Sequence, residues 1–93
     1  MTNVIYKDTF PQDLFHLDIE IAQGSTPLHF ALQHGEKTVW YEVPHESSEN
    51  LETVNCEFRI AGTGHRIDST EWTYLGTLFE DVFVWHCYYR TYK

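Results

Sequence analysis

The fold is decided by the stretch Leu28-His29-Phe30-Ala31-Leu32-Gln33-His34-Gly35-Glu36-Lys37-Thr38-Val39-Trp40-Tyr41-Glu42-Val43. Its first half places Leu28, Phe30 and Leu32 in alternation with less apolar residues, which is the period of a half-buried strand. Its second half is rich in β-branched and aromatic side chains, which are enriched in strands. The glycine at position 35 suits a tight turn, and the proline at position 44 ends the second strand. Residues 28–43 are therefore predicted to form one β-hairpin.

Outward from this hairpin, the same period of two recurs along the chain. Further strands are predicted at residues 4–8, 17–21, 54–61, 71–78 and 82–89, with a turn at Phe79-Glu80-Asp81 before the last strand. In the last strand, one face carries Val82, Val84, His86 and Tyr88, and the other carries Phe83, Trp85, Cys87 and Tyr89. Both faces are largely apolar, so this strand is predicted to lie inside a sheet or to pack one face against a second copy of the chain.

The chain as a whole is predicted to be a single all-β domain over residues 1–93. No helical periodicity of useful length occurs, and 93 residues enclose only one small core. Six Phe, six Tyr and three Trp supply a large apolar surface for that core. The expected architecture is a small antiparallel β-sandwich or barrel of about seven short strands.

The net charge of the chain is −8, from 14 acidic and six basic side chains. Such a charge disfavours direct binding of nucleic acid, because the phosphate backbone is bound by basic surfaces. The acids are most concentrated in a polar stretch that contains Glu42, Glu46, Glu49 and Glu52. Two interpretations stay open: a solvated loop that keeps the protein soluble, or an acidic patch that docks on a basic protein surface.

Cysteine content and hydropathy favour a cytoplasmic protein. Cys56 and Cys87 both fall within predicted strands, and two cysteines are too few for a disulfide scaffold, so buried thiols are expected. The sequence shows no charged-then-apolar signal segment at its start, and no apolar run approaches the roughly 20 residues of a membrane helix. We therefore expect no membrane partner.

Motifs for metal binding and nucleophilic catalysis are weak. The six histidines lack the spacing of zinc ligands, so no metal or other cofactor is expected. His86 and Cys87 are adjacent, but alternation sends their side chains to opposite faces of a strand. Ser47 and Ser48 lack the flanking glycines of a nucleophile elbow. None of these residues predicts a catalytic centre.

The segment that most resembles a site is the loop Gly62-Thr63-Gly64-His65-Arg66-Ile67-Asp68. Its glycines permit a tight corner or the close approach of a ligand to the backbone. One hypothesis is that His65, Arg66 and His86 converge on a phosphate, a ring or a carboxylate, and the alternative is a purely structural corner. His65 and Asp68 as acid and base of a hydrolase are disfavoured, because such pairs are common without chemistry. The protein is predicted not to be an enzyme.

Several segments, in order, carry a resemblance: Val4-Ile5-Tyr6-Lys7, Val39-Trp40, residues 58–68 with their Gly-Thr-Gly-His sequence, Tyr74-Leu75-Gly76-Thr77, and Val82-Phe83-Val84-Trp85-His86. Nearly the whole chain resembles a family of small, functionally unassigned proteins encoded by bacteriophages and prophages. The chain departs from these relatives at Arg66, where they often carry proline, and in its longer acidic stretch at 44–53. The resemblance implies an accessory protein of the host bacterial cytoplasm, and it supplies no catalytic residues.

Two binding hypotheses follow. In the first, the protein captures a nucleotide-like small molecule and so sequesters a host immune signal. The residues predicted to bind this ligand are Gly62, Thr63, Gly64, His65, Arg66, Trp72, Tyr74 and His86.

In the second hypothesis, the acidic patch from Glu42 to Glu52, together with Asp18 and Glu20, imitates nucleic acid. It then inhibits a basic host defence protein, such as a CRISPR complex. A homo-oligomer is also expected, because the last strand carries more apolar surface than one small core covers.

Overall fold

A computed structural model of the chain describes residues 2–44 and 52–93. Within these ranges the chain forms seven β-strands and no helix, which confirms the all-β prediction. The strands are β1 (Asn3–Thr9), β2 (His16–Ala22), β3 (Thr26–Gln33), β4 (Glu36–Pro44), β5 (Thr53–Gly62), β6 (Thr73–Glu80) and β7 (Phe83–Tyr92). No helix in the described ranges has the length and apolar character needed to cross a membrane.

The strands pair into two antiparallel sheets that pack as a small sandwich. The three-stranded sheet has the order β1-β4-β3, and the four-stranded sheet has the order β2-β5-β7-β6. β7 therefore lies inside its sheet, as the apolar character of both of its faces predicts. β5 and β6 flank β7 and both run antiparallel to it, so they are parallel to each other. The chain between them must therefore travel from one end of β7 to the other, and this connection contains the glycine loop.

The predicted hairpin at residues 28–43 is confirmed by β3 and β4. Its turn is His34-Gly35, whose φ angles of 52° and 79° are both positive. Two successive positive φ angles match the right-handed twist of the paired strands, and Gly35 adopts one without strain. Leu28 was expected to share the buried face with Phe30, but the register shifts between Pro27 and His29, and Leu28 is exposed. An extra residue in one strand changes which side chains face the core.

The turn before the last strand lies later than predicted. β6 continues through Phe79 and Glu80, and the turn is formed by Asp81 and Val82. Asp81 adopts a φ of 54°, a conformation that aspartate tolerates better than bulky residues do. Val82, predicted to begin the strand on the same face as Val84, is 88% exposed on the turn instead.

The core lies between the two sheets and contains fully buried side chains from both of them. They are Phe30 and Val39 from the three-stranded sheet, and Cys56, Phe58 and Cys87 from the four-stranded sheet. Both thiols are therefore buried and free, as predicted. Burial raises the pKa of Cys56 to about 12, so this thiol stays protonated at neutral pH.

The row of β7 that faces the core is the one containing Cys87. Trp85 and Tyr89 pack against the core beside it, while Phe83 at the strand start is 54% exposed. At the junction of the two sheets, Gly76 of β6 lies against Phe30, where an added Cβ would be 3.6 Å from the Phe30 Cβ. The predicted homo-oligomer stays a prediction.

Candidate functional site

The outer face of the four-stranded sheet, meaning the face turned away from the core, is polar and aromatic. The register aligns His16, Arg59, Tyr88 and Tyr74 across all four strands. The neighbouring row on one side is Asp18, Glu57 and Arg90, and the row on the other side is Ala61, His86 and Thr77. Side chains alternate along each strand, so these rows point away from the buried Cys56, Phe58 and Cys87.

A cleft of about 450 Å³ opens at this part of the molecule. Its walls combine the start of β2, the second half of β5, the glycine loop, the approach to β6 and the end of β7. The lining residues are Phe15, His16, Glu57, Arg59, Ile60, His65, Trp72 and Arg90. Two arginines and two histidines therefore face one carboxylate, which is an unusual balance in a chain of net charge −8.

Glu57 organises one wall of this cleft. Arg90 donates from Nε to Glu57 Oε1 over 2.8 Å, and His16 donates from Nε2 to Glu57 Oε2 over 2.5 Å. Partial burial disfavours the charged carboxylate, but the hydrogen bonds from Arg90 and His16 outweigh it and lower the pKa of Glu57. Arg90 also pairs with Glu71 and lies 4.4 Å above the ring of Trp72. These contacts fix the Arg90 guanidinium in place.

His65 is oriented by the backbone of its own loop. The Gly62 N–H donates to His65 Nδ1 over 3.0 Å, and the His65 N–H donates to the Gly62 carbonyl over 2.9 Å. Because Nδ1 accepts a hydrogen bond, the proton of the neutral ring lies on Nε2, which becomes a donor. No acceptor for Nε2 lies within reach among residues 2–44 and 52–93.

Gly62 is required by close packing rather than by its φ angle. A Cβ added at this position would lie 3.1 Å from His65 Cε1 and 3.2 Å from Trp85 Cζ3. Gly64, by contrast, has a φ of 94° and open space around it. The first glycine therefore lets two rings approach the backbone, and the second permits the turn that presents His65. Both roles were left open by the sequence.

The side chains of Arg59 and Arg66 are exposed and make no hydrogen bond or ion pair with any residue in the part of the chain that the structure describes. Arg59 lines the cleft directly, in register with His16 on one side and Tyr88 on the other. Arg66 lies on the loop next to His65. A guanidinium without a carboxylate partner keeps all of its donors available for a ligand.

His86 does not line the cleft and has other partners. Its Nε2 lies 3.1 Å from Thr63 Oγ1, and its Nδ1 lies 3.0 Å from Thr77 Oγ1. Thr77 in turn lies 2.5 Å from the hydroxyl of Tyr74. Both ring nitrogens of His86 are therefore engaged by threonine hydroxyls, and among the described residues His86 makes no hydrogen bond with His65 or Arg66. Alternation in β7 separates His86 from Trp85, beside which His65 lies.

The other predicted site residues have the following places. Trp72 is buried, with Arg90 against its ring, and Tyr74 is exposed and packs edge-on against Tyr88. Glu42 accepts a hydrogen bond from Asn3, and Glu52 pairs with Lys93 at 3.7 Å. The remaining predictions in the acidic stretch lie outside the described residues; they concern Glu46, Ser47, Ser48 and Glu49.

Sequence reasoning did not identify Phe15, His16 and Arg90 as members of the site. Arg59 lies in the strand predicted at residues 54–61, but the sequence assigned it no role. One signal was available for Arg59, because it lies in the strand that leads directly into the glycine loop, and Arg66 lies on that loop. The described ranges contain no group of three or more His, Cys, Asp or Glu side chains arranged to hold a metal ion.

Comparison with known proteins identifies a family whose function is unknown. No curated protein and no solved structure matches the chain. A family model described as a domain of unknown function, DUF7352, matches residues 1–93. The chain therefore belongs to the DUF7352 family.

Proposed function

We propose that this protein binds a small, nucleotide-like anion in the cleft and acts by holding it rather than by transforming it. The observation that carries the proposal is a pair of unused donors in one cleft: the guanidinium of Arg59 and the Nε2–H of His65. Unpaired donors that line one cleft favour a ligand rich in acceptor oxygens, such as a phosphate or a carboxylate.

The electrostatics of the chain are compatible with such a ligand. The net charge of −8 repels anions at long range, but salt screens this repulsion beyond about 8 Å at physiological ionic strength. Within the cleft, Glu57 is the one carboxylate among eight lining residues, and it is already engaged by Arg90 and His16. The hydrogen-bond donors in the cleft therefore determine that a bound anion is attracted rather than repelled.

Calorimetric titration with inorganic phosphate and with AMP tests the proposal. We expect Arg59→Gln to weaken binding of both ligands roughly 10- to 100-fold, since hydrogen bonds to charged groups contribute about 1.5–3 kcal/mol. The matched control is Lys7→Gln, which removes one exposed positive charge from β1 in the other sheet. Absence of binding by the unsubstituted protein, or equal weakening by both variants, would overturn the proposal.

The resemblance to bacteriophage proteins supports a setting for this activity. A binder of nucleotide-like molecules encoded by a phage would sequester a host immune signal in the bacterial cytoplasm. The test is phage growth in a host whose defence depends on such a signal. We expect the intact gene to restore growth and His65→Ala to lose that effect, whereas Lys7→Gln should retain it.

The alternative of an acidic inhibitor has less support in the described residues. Glu42 and Glu52 already have the partners Asn3 and Lys93, and Asp18 accepts a hydrogen bond from Tyr92. Joint neutralisation of Glu46, Glu49 and Glu52 separates the two functions. Loss of host-effector inhibition in that variant, with ligand binding unchanged, would favour the acidic inhibitor.

A further inference from the structure

We infer that Phe15 is the residue that stacks on the ring of the ligand, so that the cleft selects a ring-bearing anion over a bare one. This inference rests on the proposed function and adds the chemical class of the ligand. It starts from a group of stacked aromatic side chains at one end of the sandwich, in which Phe15 and Phe83 both stack against Trp85.

The geometry leaves one face of Phe15 available. The Phe15 and Trp85 rings have centroids 5.0 Å apart at an angle of 30°, which is an offset stack. Phe15 is nevertheless 42% exposed, and it is a lining residue of the cleft. In the described parts of the chain, Trp85 is the one aromatic ring packed on it. Lys37 Nζ also lies near this stack, 5.9 Å from the Phe15 centroid and 5.2 Å from the Trp85 centroid, which places it on the Trp85 side of Phe15. Among the described residues, no ring or cation is therefore packed on the opposite face of Phe15, and that face is available to a ligand.

Two further contacts hold Phe15 in this position. Its carbonyl accepts a hydrogen bond of 2.8 Å from the Ile60 N–H, which extends the pairing of β2 with β5. The Trp85 beneath it is itself held by a hydrogen bond from Nε1 to Glu80. A ring that is already fixed loses little freedom when a ligand stacks on it, so a preorganised platform favours binding.

The other aromatic candidates near the loop do not offer a free face in the cleft. Trp72 is 8% exposed, and the guanidinium of Arg90 covers its ring at 4.4 Å. Tyr74 is exposed, but it lies on β6, one strand farther from the cleft than Tyr88, and it does not line the cleft. We therefore assign ring stacking to Phe15 rather than to Trp72 or Tyr74, the two aromatic residues that the sequence predicted to bind the ligand.

The ligand class that fits is a planar heterocycle or aryl group carrying a phosphate or carboxylate, as in a nucleoside monophosphate. The ring would lie on Phe15, and the anionic group would accept from Arg59 and from His65 Nε2–H, which line the same cleft. Stacking on an aromatic side chain tolerates different bases, because every base has a π-face. Discrimination among bases is therefore expected to be small.

Titration with AMP and ribose 5-phosphate tests the inference, since the two ligands share the phosphate and differ in the ring. We expect AMP to bind more tightly, and Phe15→Leu to weaken AMP binding roughly tenfold while leaving ribose 5-phosphate unchanged. Phe15→Tyr keeps the ring and should retain AMP affinity. The matched control is Phe83→Leu, which removes an exposed ring that also stacks on Trp85 but does not line the cleft.

Several outcomes would overturn the inference while leaving the proposed function intact. They are equal affinity for AMP and ribose 5-phosphate, equal losses for both ligands in Phe15→Leu, and a loss of AMP binding in Phe83→Leu as large as in Phe15→Leu. Absence of binding for both ligands and for inorganic phosphate would instead overturn the proposed function, and the inference with it.

Discussion

Replacing Gly62 with alanine tests the packing that orients His65. The added Cβ would lie 3.1 Å from His65 Cε1 and 3.2 Å from Trp85 Cζ3, a few tenths of an ångström inside ordinary contact. Trp85 is held by Phe15 and by its hydrogen bond to Glu80, whereas His65 is exposed on a loop. The imidazole should therefore move, and the hydrogen bond from the Gly62 N–H to Nδ1 should break.

The expected cost in global stability is small, because two terms oppose each other. The lost hydrogen bond is worth about 0.5–1.5 kcal/mol. Alanine in place of glycine reduces the conformational entropy of the unfolded chain, and this raises the free energy of unfolding by roughly 0.4–1 kcal/mol where the native backbone conformation suits alanine. The free energy of unfolding in Gly62→Ala should therefore fall by less than about 1 kcal/mol, while the defined Nε2–H tautomer of His65 is lost.

Two measurements check this pair of effects. Urea unfolding gives the free energy of unfolding, and long-range ¹H–¹⁵N correlation spectra give the tautomer of the His65 ring. Gly76→Ala is the matched control, because its added Cβ makes ordinary contact at 3.6 Å from Phe30 and does not approach His65. An unchanged His65 tautomer in Gly62→Ala, or a stability loss of several kcal/mol, would refute the packing argument.

Three further predictions concern the core and the carboxylate of the cleft. Phe58→Ala should destabilise the protein by about 3–5 kcal/mol in urea unfolding, since Phe58 is fully buried; a loss below 1 kcal/mol would contradict the described core. Cys56 and Cys87 should react with a thiol reagent only on unfolding, because burial raises the pKa of both thiols; rapid labelling of folded protein would contradict this. The pKa of Glu57 is lower in the folded than in the unfolded chain, so its stabilising contribution is present above its ordinary pKa of 4.5 and is lost as the pH falls through the pKa of the folded state. Glu57→Gln should therefore flatten the acid dependence of the free energy of unfolding. An unchanged pH profile of stability would argue against the contacts of Glu57 with Arg90 and His16.

The fold was largely predictable because one local pattern repeats along the chain. Period-two alternation, Gly35 at a turn and Pro44 at a strand end all reflect local chemistry, and the structure confirms the strands that they predict. The prediction failed where the pairing between strands determines which face of the sheet a side chain occupies. Leu28 is displaced by a bulge in the pairing of β3 with β4, which no periodicity within one strand reveals.

The candidate site was less predictable because its members come from distant segments. His65 is found where the glycine loop indicates, but its neighbours Phe15, Arg59 and Arg90 come from three different strands or strand ends. Their proximity depends on the strand order β2-β5-β7-β6, which places β2, from the first half of the chain, in the same sheet as the last strand. Sequence spacing does not contain this order, and it therefore favoured His86, which is close to Thr63 but outside the cleft.

The most direct test of the anion-binding cleft is an NMR titration that follows the side-chain N–H signals of arginine and histidine. The chain has three arginines, so the spectrum distinguishes the cleft residues Arg59 and Arg90 from Arg66 on the loop. Addition of AMP should shift the signals of Arg59 Nε–H and of the His65 ring, with saturation, and Arg59→Gln should weaken the response at His65. Shifts confined to residues outside the cleft, or no saturable shift at Arg59 and His65, would contradict the account.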